Sequence, residues 1–78
     1  MIIHYDDDVD ALYIQFCEKT PDGAVEVAEG IQMDLTSNNE LVGIEVLDAS
    51  KHIDLKSMLS YTFDPSIAKT RHPIEIAS

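Results

Sequence analysis

The chain has 78 residues, and 15 acidic against 5 basic side chains give it a formal net charge of −10 at pH 7. This length allows one domain with a single core. The charge disfavours direct nucleic-acid binding, because phosphates must be neutralised by Lys or Arg. A basic partner protein or divalent cations suit such a field better, while an acidic surface that only maintains solubility is the plainer interpretation.

Cysteine content and the N-terminal segment narrow the class further. Cys17 is the only cysteine, so an internal disulfide is excluded and no zinc-type spacing exists. A domain this small gains limited burial from its own core, so we expect a homodimer. The segment Met1–Asp8 lacks the basic and apolar regions of a signal peptide, and no run approaches the roughly 18 apolar residues of a membrane span. We therefore expect a cytoplasmic protein without membrane contact.

Alternating apolar residues predict a first hairpin. Residues 2–5 form a short strand that ends at Asp6-Asp7-Asp8, since aspartate is depleted in strands and enriched in turns. Residues 10–17 then alternate with period two, which predicts a second strand. Its inward residues are Leu12, Ile14 and Phe16.

Two further strands are predicted after the Pro21-Asp22-Gly23 turn. Residues 24–28 place Val25 and Val27 inward, and residues 31–36 place Ile31, Met33 and Leu35 inward. Glu29-Gly30 turns the chain between them. The spacing from Val27 to Ile31 is also compatible with a bulge in one bent strand.

A further strand is predicted at residues 41–47, with the β-branched residues Val42, Ile44 and Val46 on one face. This strand pairs back on residues 31–36 and is predicted to be central or nearly so. Gly43 inside a strand indicates a bulge or the close approach of a large side chain. Asp48 follows as the predicted cap of a helix or turn.

The C-terminal part supplies the cover of the sheet. A short helix is predicted near residues 54–60, capped by Asp54, with Ile53 packing from outside. The fold class is therefore α+β, mostly β: an antiparallel meander of four to five strands with one short C-terminal helix and an extended tail. Residues 1–60 form the domain. The tail, residues 61–78, has a possible edge strand at residues 74–77 and carries large side chains that pack on this sheet or on a second subunit: Tyr61, Phe63, Ile74 and Ile76.

The first turn offers a possible cation site. Asp6, Asp8 and Asp10 match the first acidic positions of a calcium loop, but Ala11 and Cys17 stand where that loop needs Gly and Glu. A looser Mg²⁺ or Ca²⁺ contact remains open. The alternative is a polar turn in which Asp6 and Asp10 accept backbone hydrogen bonds.

Other titratable residues give weaker hypotheses. Glu26, Asp34 and Glu45 are predicted on one sheet face, where close clustering would indicate a cation, a raised pKa or a basic partner, and dispersal a solvated surface. The three histidines lack ligand spacing, and Cys17 is typical of a small buried or half-buried residue and not of a nucleophile. The histidines are His4, His52 and His72. No catalytic motif, catalytic residue or cofactor site is predicted.

Three segments resemble the prokaryotic domain of unknown function 2283 family: Tyr5-Asp6, residues 10–14 and residues 41–51. The resemblance covers about residues 1–51. It implies a small β-rich prokaryotic domain with no established activity, and it assigns no catalytic residues to this chain. Genes of such proteins often stand beside small toxin-like proteins, so the resemblance also implies an antitoxin role.

The sequence thus favours a non-enzymatic protein-binding module. An antitoxin-like partner of a basic protein is one such module. The alternative is a small divalent-cation-binding protein or enzyme that uses the carboxylates of the Asp6–Asp10 turn.

Overall fold

The computed structural model describes residues 1–60, which form one five-stranded antiparallel sheet and two short helical segments. No helix within these residues is long and apolar enough to cross a membrane. The strands and helical segments are β1 (Ile2–Asp6), β2 (Ala11–Gln15), β3 (Gly23–Ala28), β4 (Ile31–Leu35), β5 (Leu41–Val46), α1 (Ala49–His52) and a 3-10 helix (Leu55–Leu59).

The strand order is β1-β2-β5-β4-β3, and every neighbouring pair is antiparallel. The predicted fold class, including the antiparallel meander and the short helix, is confirmed. The sequence pattern did not predict the order of the strands in the sheet. Two hairpins, β1–β2 and β3–β4, are joined by β5, which lies between β2 and β4. Strand β5, which was predicted to be central or nearly so, is therefore the central strand.

Each hairpin turn contains a residue in the left-handed region. Asp10 (φ 54°), Gly30 (φ 77°) and Asn39 (φ 62°) occupy the three turns between paired strands. Aspartate, asparagine and glycine tolerate this conformation better than other residues. The turn at Gly30 decides between the two alternatives for residues 27–31, because β3 and β4 are separate strands. A bulge is present as well, between Glu26 and Ala28 within β3.

The core lies on one face of the sheet, under the two helical segments. Leu12 and Val46 are paired across β2 and β5 and are buried together with Ala49 of α1. Partly buried apolar residues surround this cluster, among them Ile53, Leu55 and Met58 from the covering segment. The prediction that a C-terminal helical segment packs on the apolar face is confirmed.

The helical segments differ from the sequence prediction in detail. The predicted helix near residues 54–60 is a 3-10 helix, and the α-helix begins earlier, at Ala49. Asp54 caps the 3-10 helix as predicted, since its carboxylate accepts from the Lys56 amide. The predicted capping role of Asp48 is wrong. Asp48 is left-handed (φ 50°) and its side chain makes no capping bond, because the carboxylate of Asp10 occupies that position.

The cover does not extend over β3. Val25 lies in register with Met33 on the apolar side, as predicted, yet Val25 and Val27 remain 47% and 50% exposed. Their predicted burial is wrong because β3 is an edge strand beyond the reach of the short helices. The predictions for the tail, residues 61–78, lie outside the described residues.

Candidate functional site

One transverse row of side chains crosses all five strands on the face opposite the core. Register pairs His4 with Tyr13, Tyr13 with Glu45, Glu45 with Gln32, and Gln32 with Glu26. Because side chains alternate along strands, all five point away from Leu12 and its neighbours. We call these five residues the polar row.

Tyr13 is the fixed point of the polar row. Its ring extends over Gly43, where an added Cβ would overlap the Tyr13 hydroxyl and lie 2.8 Å from the Ile14 carbonyl oxygen. The Tyr13 hydroxyl donates a 2.8 Å hydrogen bond to Oδ2 of Asp34. The two alternatives given for Gly43 both occur: a large side chain approaches, and the β4–β5 register shifts between Asp34 and Leu35.

The three carboxylates predicted to share a face do so, but they are dispersed. Gln32 stands between Glu26 and Glu45 in the row, so no two carboxylates are directly opposite. Asp34 lies in the neighbouring row, paired with Gly43. Glu26 is exposed, whereas Asp34 and Glu45 are half-buried beside the Tyr13 ring. The face is therefore less solvated than its composition predicts.

The pKa of Tyr13 is raised by this environment. Partial burial contributes most, followed by the hydrogen bond to Asp34 and the charges of Asp34 and Glu45. All of these disfavour the phenolate. Tyr13 therefore remains a neutral hydrogen-bond donor at physiological pH, which holds its ring in one orientation.

The polar face is concave beside this ring. A shallow cavity of about 470 Å³, largely open to solvent, lies over β1, β2 and β5, with His4, Asp6, Ala11, Tyr13 and Glu45 among its lining residues. Ala11 precedes Tyr13 on the same face of β2, and its small side chain leaves room above the strand. The His4 and Tyr13 rings are 6.5 Å apart between centroids, with 36° between their planes.

Asp10 forms a second polar cluster at the end of the sheet. Its Oδ1 accepts from the Tyr5 hydroxyl at 2.7 Å, and its Oδ2 accepts from the Ser50 hydroxyl at 2.6 Å. The Ser50 amide also donates to this carboxylate, and the Ala49 amide donates to the Asp10 carbonyl oxygen. Asp10 therefore caps α1 from 40 residues away in sequence.

These bonds shift the pKa values of two residues. The Ser50 hydroxyl, followed by the Tyr5 hydroxyl, holds the pKa of Asp10 below its usual value. The same hydrogen bond to Asp10 raises the pKa of Tyr5. The two hydroxyl donors therefore favour the ionised carboxylate of Asp10, and the bond to that carboxylate favours the neutral phenol of Tyr5.

The possible cation site of the first turn is rearranged relative to the sequence pattern. The structure brings Asp6, Asp7 and Asp8 together, with one carboxylate oxygen from each within 4.8 Å of the others. Asp10 is directed to Tyr5 and Ser50 instead. The carboxylate cluster therefore contains Asp7 where the sequence pattern predicted Asp10. All three clustered residues are exposed.

The remaining candidates are not brought together. His4 lies on β1 beside Tyr13, and His52 ends α1 on the other side of the sheet. Cys17 is half-buried, as predicted, with its Sγ 3.7 Å from the Leu41 carbonyl oxygen. His72 lies outside the described residues.

A comparison with protein families gives one match. The family model described as a protein of unknown function, DUF2283, matches residues 2–50. The chain belongs to this family. No curated protein and no solved structure matches it significantly.

The DUF2283 match includes all five strands and the beginning of α1. The segments that carry the sequence resemblance meet in the structure at two places. Tyr5, Asp10 and Ser50 form the capping cluster, and Tyr13 packs over Gly43. Both arrangements hold elements of this chain together, which is a structural role.

Sequence reasoning missed two partners. The Asp10–Ser50 bond has no local signal, because it depends on how the first turn meets α1. The acceptor of Tyr13 was also missed, although Gly43 indicated that a large side chain lies nearby. Tyr13 and Asp34 can be identified as hydrogen-bond partners only from the strand order β2-β5-β4, which places their strands on either side of Gly43.

Proposed function

We propose that this chain is a non-catalytic protein-binding module that engages a basic partner protein. One observation carries the proposal: the five strands of residues 1–60 contain no Lys or Arg, while the polar face presents Glu26, Asp34 and Glu45. Lys19, in the loop after β2, is already paired with Glu40.

The net charge of −10 supports the same interpretation. Charge complementarity accelerates encounter with a partner of opposite sign and excludes partners of like sign. The family resemblance implies a small toxin-like protein as the partner class, and a basic protein of that class meets this requirement.

The test is capture of partners on the immobilised full chain, with a Glu26→Gln, Glu45→Gln variant as the control. Both side chains are on the polar face and neither is a capping residue. We expect a partner of net positive charge whose binding weakens with added salt and with the double substitution. Recovery of the chain alone, or of a partner indifferent to both changes, would contradict the proposal.

Self-association through the uncovered part of the sheet belongs to the same proposal. Strands β1 and β3 are the edges, and their residues are exposed throughout. A second copy that covers Val25 and Val27 would bury apolar surface that the single chain leaves in water. Light scattering should give a dimer mass for the full chain and a smaller mass for a Val25→Lys variant. A monomer at every concentration would exclude this arrangement.

A second candidate function is divalent-cation binding, favoured by the Asp6, Asp7 and Asp8 oxygens that lie within 4.8 Å of one another. A bound ion would raise the melting temperature by mass action. We expect Asp7→Asn to abolish such a rise and Asp22→Asn, in a different turn, to preserve it. If Mg²⁺, Ca²⁺, Mn²⁺ and Zn²⁺ all leave the melting temperature unchanged, this candidate fails.

A further inference from the structure

The cavity on the polar face combines aromatic surface with carboxylates placed on both sides of it. The rings of His4 and Tyr13 lie 6.5 Å apart, Asp6 stands at the end of β1, and Glu45 stands on β5. Strand β2 runs between β1 and β5, so these two carboxylates flank it from opposite sides.

The spacing of the strands that carry Asp6 and Glu45 favours an extended cation. Strands β1 and β5 are two strand spacings apart, which is about 10 Å. A single Mg²⁺ or Ca²⁺ gathers its oxygen ligands within about 2.6 Å, whereas a group several ångströms long matches carboxylates carried on strands at this spacing. A group that fits must be larger, positively charged, and able to contact an aromatic face.

We propose that this cavity receives an arginine side chain of the basic partner, an inference that rests on the proposed function. The guanidinium is planar, stacks on aromatic rings and pairs with a carboxylate through two parallel hydrogen bonds. Tyr13 supplies the ring surface, Glu45 is the nearest carboxylate in the polar row, and Asp6 adds negative potential at the outer end.

The aromatic surface is ordered before any partner arrives. The Tyr13 hydroxyl is held by Asp34 at 2.8 Å, and the ring is seated on Gly43. A ring fixed in advance loses little side-chain entropy on binding. Gly43 and Asp34 are therefore positioning residues for this site, and they act through Tyr13.

The lysine ammonium is a weaker fit. It is a compact, strongly hydrated charge that lacks the planar surface and paired donors of arginine. The cavity, about 470 Å³ in volume, is wide enough for a flat group lying along the ring. Preference for arginine over lysine thus distinguishes this site from general attraction to an acidic surface.

The experiment is an NMR titration of the full chain with three short peptides that differ only at the central residue: arginine, lysine or the neutral analogue citrulline. We expect the arginine peptide to shift the amide signals of His4, Tyr13 and Glu45, with weaker effects from lysine and none from citrulline. Glu45→Gln should weaken arginine binding roughly fivefold or more. The matched control Glu26→Gln removes the same charge at the far end of the polar row and should change binding less than about twofold.

Three results would overturn the arginine site. They are an equal loss of arginine-peptide affinity in Glu45→Gln and Glu26→Gln, equal affinity for the lysine peptide, and amide shifts spread over the whole surface. The capture experiment can still succeed in that case, so the proposed function would stand on diffuse charge. Failure to capture any basic partner, with or without peptide binding, removes the proposed function instead. If Glu45→Gln alters the fold, His4→Ala on the exposed edge strand tests the same cavity, and unchanged arginine binding there would overturn the inference.

Discussion

Asp10 and Ser50 are joined by a hydroxyl–carboxylate bond of 2.6 Å and by the Ser50 amide, which donates to both Asp10 oxygens at 3.1 and 3.2 Å. This contact fastens the first hairpin turn to the start of α1. Because α1 has four residues, it is too short to be stable alone. Its position on the sheet therefore depends on Asp10 together with the burial of Ala49.

Asp10→Asn should destabilise the chain. Asparagine tolerates the left-handed backbone of Asp10, so the substitution removes the charge of the acceptor without adding backbone strain. We expect the melting temperature to fall by roughly 5 °C. Asp8→Asn is the matched control, since it removes the same charge two residues away, and it should shift the melting temperature by about 1 °C or less. Equal shifts would mean that charge, and not capping, is responsible.

Ser50→Ala should change how stability depends on acid. The folded pKa of Asp10 is held below the ordinary value of 3.8. The stability that the ionised Asp10 carboxylate adds to the fold is therefore fully present above that pH and is lost as the pH falls through the folded pKa of Asp10. Without the Ser50 hydroxyl the pKa should rise toward 3.8, and the difference in stability from the parent should narrow in acid. Carboxyl NMR and urea unfolding measure the two quantities. Ser37→Ala, in an exposed turn, should alter neither.

Gly43→Ala should be costly, whereas Gly23→Ala should be nearly neutral. A Cβ at Gly43 would overlap the Tyr13 hydroxyl and approach the Ile14 carbonyl oxygen to 2.8 Å, and a backbone atom cannot move aside cheaply. We expect a loss of about 1–3 kcal/mol in the free energy of unfolding. At Gly23 nothing lies within 4 Å, so a change of about 0.5 kcal/mol or less is expected. Urea denaturation of both variants makes the comparison.

Leu12→Ala should remove a large share of the stability of the domain. Leu12 is 2% exposed and packs with Val46 and Ala49. Such a truncation costs about 2–5 kcal/mol, against a total of about 4–12 kcal/mol for a chain of this length. Leu47→Ala shortens a leucine that is 47% exposed and should cost about 1 kcal/mol or less. Similar losses for the two leucines would contradict the assigned core.

The strands could be predicted from sequence because period two is a local property. Residues 12, 14, 42, 44 and 46 alternate as the structure has them, and turn residues separate the runs. Register was only partly accessible: Gly43 signalled a close neighbour, but Tyr13 became identifiable only when β2 was placed beside β5.

The helical segment was less predictable for a physical reason. A helix of four residues carries little periodicity, so the periodic pattern did not predict Ala49–His52. It predicted only the segment after Asp54, where apolar residues recur at helical spacing. Its cap comes from Asp10, at a distance in sequence over which local propensity has no influence. The burial of Val25 was overestimated because a sequence pattern identifies a face and not the extent of its cover.

The central position of β5 also constrains the order in which the sheet can be built. The hairpins β1–β2 and β3–β4 contain only near-neighbour contacts, but each exposes one unsatisfied strand edge until residues 41–46 fill the gap between them. During synthesis both edges precede their common partner, and unpaired edges are the sites where chains aggregate. Because a short turn joins β4 to β5, β5 can pair with β4 as soon as it is made, and its pairing with β2 is the long-range step that joins the two parts into one sheet. Substitutions that slow this step should lower soluble yield more than they lower equilibrium stability.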